Sequence, residues 1–168
     1  MEASQALGYA LLAGGIALLG HALVAVMARN VSFRAANTMV IKLANAGNLE
    51  RACKLCMAAP GSYLLAVAAA LAAPAADVHA AFDEAAGQLI ERWRRIIERG
   101  MFGAVFAGGG VALAISQHQA GTFHWVCGGA AALLAIWILA RRGHMARSLA
   151  AARHDVLPAI VDARAKPS

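Results

Sequence analysis

Charge is scarce in this chain. Of 168 residues 14% are charged, while 61% are hydrophobic. A soluble domain carries about 25% charged residues, so the shortfall points to lipid as the solvent. Aromatic residues are also few, at 6%. The three cysteines, Cys53, Cys56 and Cys127, are too few and odd in number for a disulfide framework. No Lys or Arg precedes the first apolar run, where the first charge is Glu2. That is the wrong polarity for a secretory signal peptide and suits a retained anchor with its N-terminus outside. There is no phosphate-binding loop, hydrolase triad or pair of catalytic carboxylates, so no enzymatic activity is expected.

What is present is long uncharged sequence. Residues 3–28 contain no acid, Lys or Arg. The core of that run, 7–28, makes about 33 Å of helix, enough to cross a hydrocarbon layer of roughly 30 Å. Residues 100–140 form a second such run, broken by Ser116-Gln117-His118-Gln119-Ala120-Gly121-Thr122. It reads as a hairpin of two spans, 101–115 and 123–140. A third uncharged stretch, Leu55–Ala76, is interrupted by Pro60-Gly61-Ser62 and closed by Pro74. Its unbroken piece, Tyr63–Ala73, has the length of a buried helix rather than a span. Three spans put residues 29–100 and 141–168 on one side, with all 15 Lys and Arg. By the positive-inside bias that side is the cytoplasm. The expected fold is therefore all-α: one membrane domain of three transmembrane helices with long cytoplasmic extensions. The expected location is a bacterial inner membrane, with the C-terminus inside.

The cytoplasmic segments carry their own signals. Gly47 reads as a helix stop, Asn48 as the cap of the next helix and Ser62 as a further cap, so 30–75 becomes a series of short helices. From Val78 to Arg99, Phe82, Ala86, Leu89, Trp93 and Ile96 recur at spacings of 4, 3, 4 and 3, which is a heptad seam. Met145, Leu149, Ala152 and Val156 repeat the pattern in the tail, until Pro158 weakens or ends that helix. Both helices are expected to continue the second and third spans. Their seams would pack against each other or against neighbouring subunits, leaving a stripe in a single copy only partly covered.

This order of parts resembles the MotA/TolQ/ExbB proton-channel family, in particular its ExbB- and TolQ-like branch. Ala44-Asn45-Ala46-Gly47-Asn48-Leu49-Glu50-Arg51-Ala52-Cys53-Lys54-Leu55-Cys56, followed by Ala59-Pro60-Gly61, is similar to that family's cytoplasmic helical hairpin. The same residues also suit a generic helical hairpin or a single tetratricopeptide unit. The resemblance implies a homo-oligomer, typically of five copies, around the single span of a small membrane partner, and use of the proton gradient to move that partner. The chain departs from the family in its pore lining: 101–115 lacks hydroxyls and carboxylates, and 123–140 contains no Ser, Thr, Asp or Glu. Proton passage needs polar groups at membrane depth. The two function classes are thus an oligomeric scaffold subunit of such a motor complex and a structural anchor that holds another complex at the membrane.

Individual candidates follow. His21 lies eight residues before Arg29, about 12 Å from the inner interface by helix rise. It is a candidate proton-relay group or haem ligand, or else a neutral imidazole bonded across a helix contact. A second haem ligand could come only from His118 or His124 at the opposite surface, so no cofactor is expected. Cys53-x-x-Cys56 lacks the further ligands of a zinc site, so no metal is expected. Phe82, Leu89, Trp93, Ile96 and Gly108 are candidate oligomer contacts. Gly108 belongs to the small-residue ridge Ala104-Gly108-Ala112, and Ala6-Ala10-Gly14 forms another. Lipid and protein are the expected partners, and nucleic acid is not.

Overall fold

The computed structural model describes residues 3–29, 31–117 and 121–165. Glu2, His118, Gln119 and Lys166 lie outside them. Among the described residues six α-helices follow in order: α1 (Ala3–Met27), α2 (Phe33–Asn45), α3 (Leu49–Met57), α4 (Leu64–Ala72), α5 (Val78–Ser116) and α6 (Thr122–Ala165). There is no strand among the described residues. Three of the helices, α1, α5 and α6, are long and apolar enough to cross a membrane. α5 has 39 residues and α6 has 44, each without a break. The polar stretch after Ser116 separates them, as the sequence requires.

The chain forms two compact units. The first comprises Met1–Ala28 and Arg94–Arg142, and the second Arg29–Trp93 and Gly143–Ser168. α5 and α6 each contribute to both.

In the first unit α1 packs against α5 through glycine. Gly8, Leu12, Gly15, Leu19 and Ala22 form the buried line of α1. Facing it are Gly103, Ala107 and Gly110, all buried. A Cβ on Gly110 would lie 2.7 Å from the Gly8 carbonyl oxygen and 2.8 Å from the Leu12 nitrogen. Side chains are thus excluded where the backbones meet, the arrangement by which helices gain contact in lipid. Gly100 lets Ala22 and Ile138 approach the α5 backbone in the same way.

The second unit is built around α4. Leu64, Ala66, Val67, Ala68, Ala70 and Leu71 are all buried. This is the uncharged stretch too short to span, and it folds as a core helix. Gly47, at φ +70°, closes α2. Its N–H donates to the Ala44 carbonyl and the Asn48 N–H to the Leu43 carbonyl, at 2.9 Å each. This pair of bonds is the Schellman closure, which needs a left-handed residue. Asn48 then takes the N-cap position of α3, without a side-chain capping bond. The Ser62 hydroxyl accepts from the Leu64 N–H at 3.3 Å as α4 begins. Arg153 pairs with Asp83 at 3.0 Å, joining α6 to α5, and Arg164 donates to the Leu71 carbonyl at the end of α4.

Three sequence expectations are corrected here. Pro158 lies inside α6, which runs on to Ala165. A proline costs one backbone bond and a clash, but the surrounding residues Val156, Leu157 and Ile160 are fully buried, and that packing holds the helix. The seam of α5 passes through Ile97 rather than Ile96: Ile97 is 7% exposed, whereas Ile96 is half-buried. And the seam is not left bare in a single copy, since Phe82, Leu89 and Trp93 are buried in the chain's own fold.

Candidate functional site

The sequence candidates do not converge on one place. His21 sits on the outward side of α1, exposed in the single chain, next to buried Ala22. Ala10, Gly14 and Ala17 precede it on the same face at spacings of 4 and 3, and all three are exposed. A Cβ on Gly14 would meet nothing within 4 Å. Gly108 is likewise exposed, with nothing within 4 Å of an added Cβ. The ridge that carries the internal crossing is therefore Gly103-Ala107-Gly110, one step round the helix from Ala104-Gly108-Ala112. Similarly Gly8 and Gly15, not Ala6-Ala10-Gly14, meet α5 inside the chain. Both ridges read from the sequence turn outward.

The exposed residues of the first unit sort by height. Near the α5–α6 turn stand Tyr9, Phe123 and Trp125, all exposed. At the other end the Arg141 guanidinium lies 5.1 Å from the centre of the Trp137 ring. Phe123 and Arg141 are separated by about 27 Å of helix rise, close to a hydrocarbon thickness of roughly 30 Å. Between them Val126, Leu133 and Ile136 are exposed and apolar. Aromatic residues at the interfaces with aliphatic ones between form the pattern of a membrane-facing surface.

In the second unit the polar chemistry is internal. The Tyr63 hydroxyl lies 2.9 Å from Asn37 Oδ1 and 3.2 Å from the Phe33 carbonyl oxygen. One phenolic proton faces two acceptors, while Asn37 Nδ2 is buried without a partner. The donors and acceptors balance better if the amide turns its N–H to Tyr63 and the phenol donates to Phe33. Burial raises the Tyr63 phenol well above its usual range, with the nearby Cys56 adding to the shift. Cys56 is fully buried on α3, and its thiol is pushed up from 9.0 to about 12, first by burial and then by Cys53. Cys53 is half-buried, its sulfur 3.9 Å from the Ala68 carbonyl oxygen. The pair thus behaves as small packing residues between α3 and α4. Among the described residues no three of His, Cys, Asp or Glu gather closely enough to hold a metal ion.

One polar residue went unremarked in the sequence except as a remote haem ligand. His124, in the first turn of α6, is 6% exposed and its Nδ1 has no hydrogen-bond partner. Nothing in the sequence marks it off from the exposed Phe123 and Trp125 beside it. Compared with protein families, curated proteins and solved structures, the chain matches none.

Proposed function

We propose that the chain is the scaffold subunit of a homo-oligomeric complex in a bacterial inner membrane, of the ExbB and TolQ kind, with its N-terminus outside. The observation that carries this reading is the unbroken course of α5 and α6 through 39 and 44 residues. A span alone needs about 20 residues. The excess length in each helix belongs to the second unit, and a simple anchor needs no such extension.

The outward face of α1 supports self-association. An imidazole facing hydrocarbon is costly, and intramembrane ionisable groups normally face protein or water. Ala10, Gly14 and Ala17 on the same face let another helix come close. A neighbouring subunit on this face gives His21 a polar partner and gives the small residues something to pack against. The resemblance favours five copies, and a small single-span protein as the element held or moved. The α5 seam takes no part in this contact, because its residues are used within the fold.

The second reading, an anchor that moves no protons, is favoured by the missing hydroxyls and carboxylates in 101–115 and 123–140. Two measurements test these proposals. Native mass of the complex, extracted in lipid nanodiscs, should show several copies, and a monomer would refute the scaffold. Proton flux in liposomes should be negligible for this chain alone. A leak abolished by His21→Leu would overturn that expectation and put His21 in a conducting path.

A further inference from the structure

The first unit has a small, partly open cavity of about 10 Å³ at the end where α1 begins, bounded by Gln5, Gly8, Tyr9, Ala114, Gln117 and His124. Three segments meet there. α1 brings a carboxamide and a phenol, the end of α5 brings a carboxamide, and α6 brings the imidazole. The Tyr9 ring lies 5.3 Å from the His124 ring and the Phe123 ring 5.8 Å from it, so the imidazole contacts two aromatics. His124 is 6% exposed and its Nδ1 finds no protein partner. A buried nitrogen lone pair left unpaired is unfavourable. A site of roughly 10–15 Å³ with two to four polar neighbours has the size and chemistry for one water molecule. A hydrated metal ion or an organic ligand is too large.

We propose that this cavity binds a single water molecule that pairs with His124 Nδ1. The water donates to the Nδ1 lone pair in a pocket that Gln5, Tyr9 and Gln117 also line. The groups facing His124 from the packed elements are Tyr9 and Gln5 of α1 and Ala114 and Gln117 from the α5 side. Tyr9 is the only other titratable group among them.

The experiment is nitrogen NMR on the full chain, labelled with ¹⁵N-histidine, in lipid nanodiscs. The His124 signals are assigned by their loss in His124→Gln. The expected result is a cross-peak between Nδ1 and water. Ala114→Val, which adds two methyl groups to the wall, should abolish the water cross-peak. A wild-type Nδ1 without the cross-peak overturns the proposal whether or not the valine variant folds. A cross-peak that survives in a folded Ala114→Val protein also counts against it.

Discussion

Gly14 and Gly15 are adjacent on α1 and would respond oppositely to one methyl group. A Cβ on Gly15 would lie 2.5 Å from the Gly103 carbonyl oxygen and press on the Ala107 backbone, which cannot yield as a side chain can. Gly15→Ala must therefore push α1 and α5 apart, at a cost of about 1–3 kcal/mol, as overpacking usually costs. Gly14→Ala meets nothing within 4 Å, so its effect should be neutral or stabilising by up to about 1 kcal/mol from helix propensity. Unfolding in detergent, followed by loss of helicity, measures both, and equal midpoints for the two variants would contradict the crossing. The buried cysteine gives a second residue-scale prediction. With its thiol pushed up to about 12, Cys56 should resist alkylation at neutral pH while half-buried Cys53 reacts, as read by peptide mass. The linkage has a definite sign: the unfolded thiol loses its proton near 9.0 and the folded one near 12. The folded state then binds more protons between those values, so stability is full below pH 9.0 and falls as pH rises through the window. The raised phenol of Tyr63 acts in the same direction.

At the scale of elements, α4 and the α5 seam show what packing adds to pattern. α4 has no amphipathic rhythm to read: it is nearly all Ala, Leu and Val, and it is buried on every side except around Leu65, Ala69 and Ala72. Val67 is fully buried and Ala72 is exposed. An ionised carboxylate in the core without a partner is strongly unfavourable. Val67→Asp should therefore open the second unit to limited proteolysis, while Ala72→Asp should leave it resistant. Equal resistance in both would mean that α4 is not a core helix. The seam illustrates a smaller effect. Spacings of 4, 3 and 4 from Phe82 reach Trp93, and a strict heptad then selects Ile96. A straight helix of 3.6 residues per turn drifts by about 20° in each heptad relative to a 3.5 repeat. The drift brings Ile97 and then Gly100 to the buried side. The two positions differ by one residue and look equally apolar in sequence, so only the neighbours of α5 choose between them. For the same reason Trp93→Asp is expected to disrupt the fold of one chain, not to dissociate an otherwise intact assembly.

For the whole molecule, the open quantity is orientation across the bilayer. The positive-inside bias assigns Arg29, Arg34, Arg94, Arg95, Arg99, Arg141 and Arg142 to the cytoplasmic interface. In a background with Cys53, Cys56 and Cys127 replaced by alanine, Thr122→Cys should react with an impermeant thiol reagent in intact cells. Glu84→Cys should react only after the membrane is opened. Both positions are exposed on the chain itself, so a difference in labelling reports the side of the membrane and not burial. The reversed pattern would invert the topology and contradict the N-terminus-outside orientation of the proposed scaffold.

The sequence by itself determined the helical class, the three apolar helices, the break between Ser116 and Thr122, the stop at Gly47 and the refusal of α4 to act as a span. These follow from local quantities: the length of a run without charge, a residue that tolerates positive φ, a proline at a helix border. The tertiary structure decided which side of each helix is used. Ala104-Gly108-Ala112 and Gly103-Ala107-Gly110 are equally small, and both repeat at spacings that make a ridge. Only the position of α1 makes the second the contact and turns Gly108 outward. It likewise turned His21 out of the chain, drew His124 in, and closed the Phe82–Trp93 seam within one copy. Composition fixes how much surface must be covered. Which residues cover it depends on the rotation of each helix against its neighbours, and that is set by the fit of all the helices together.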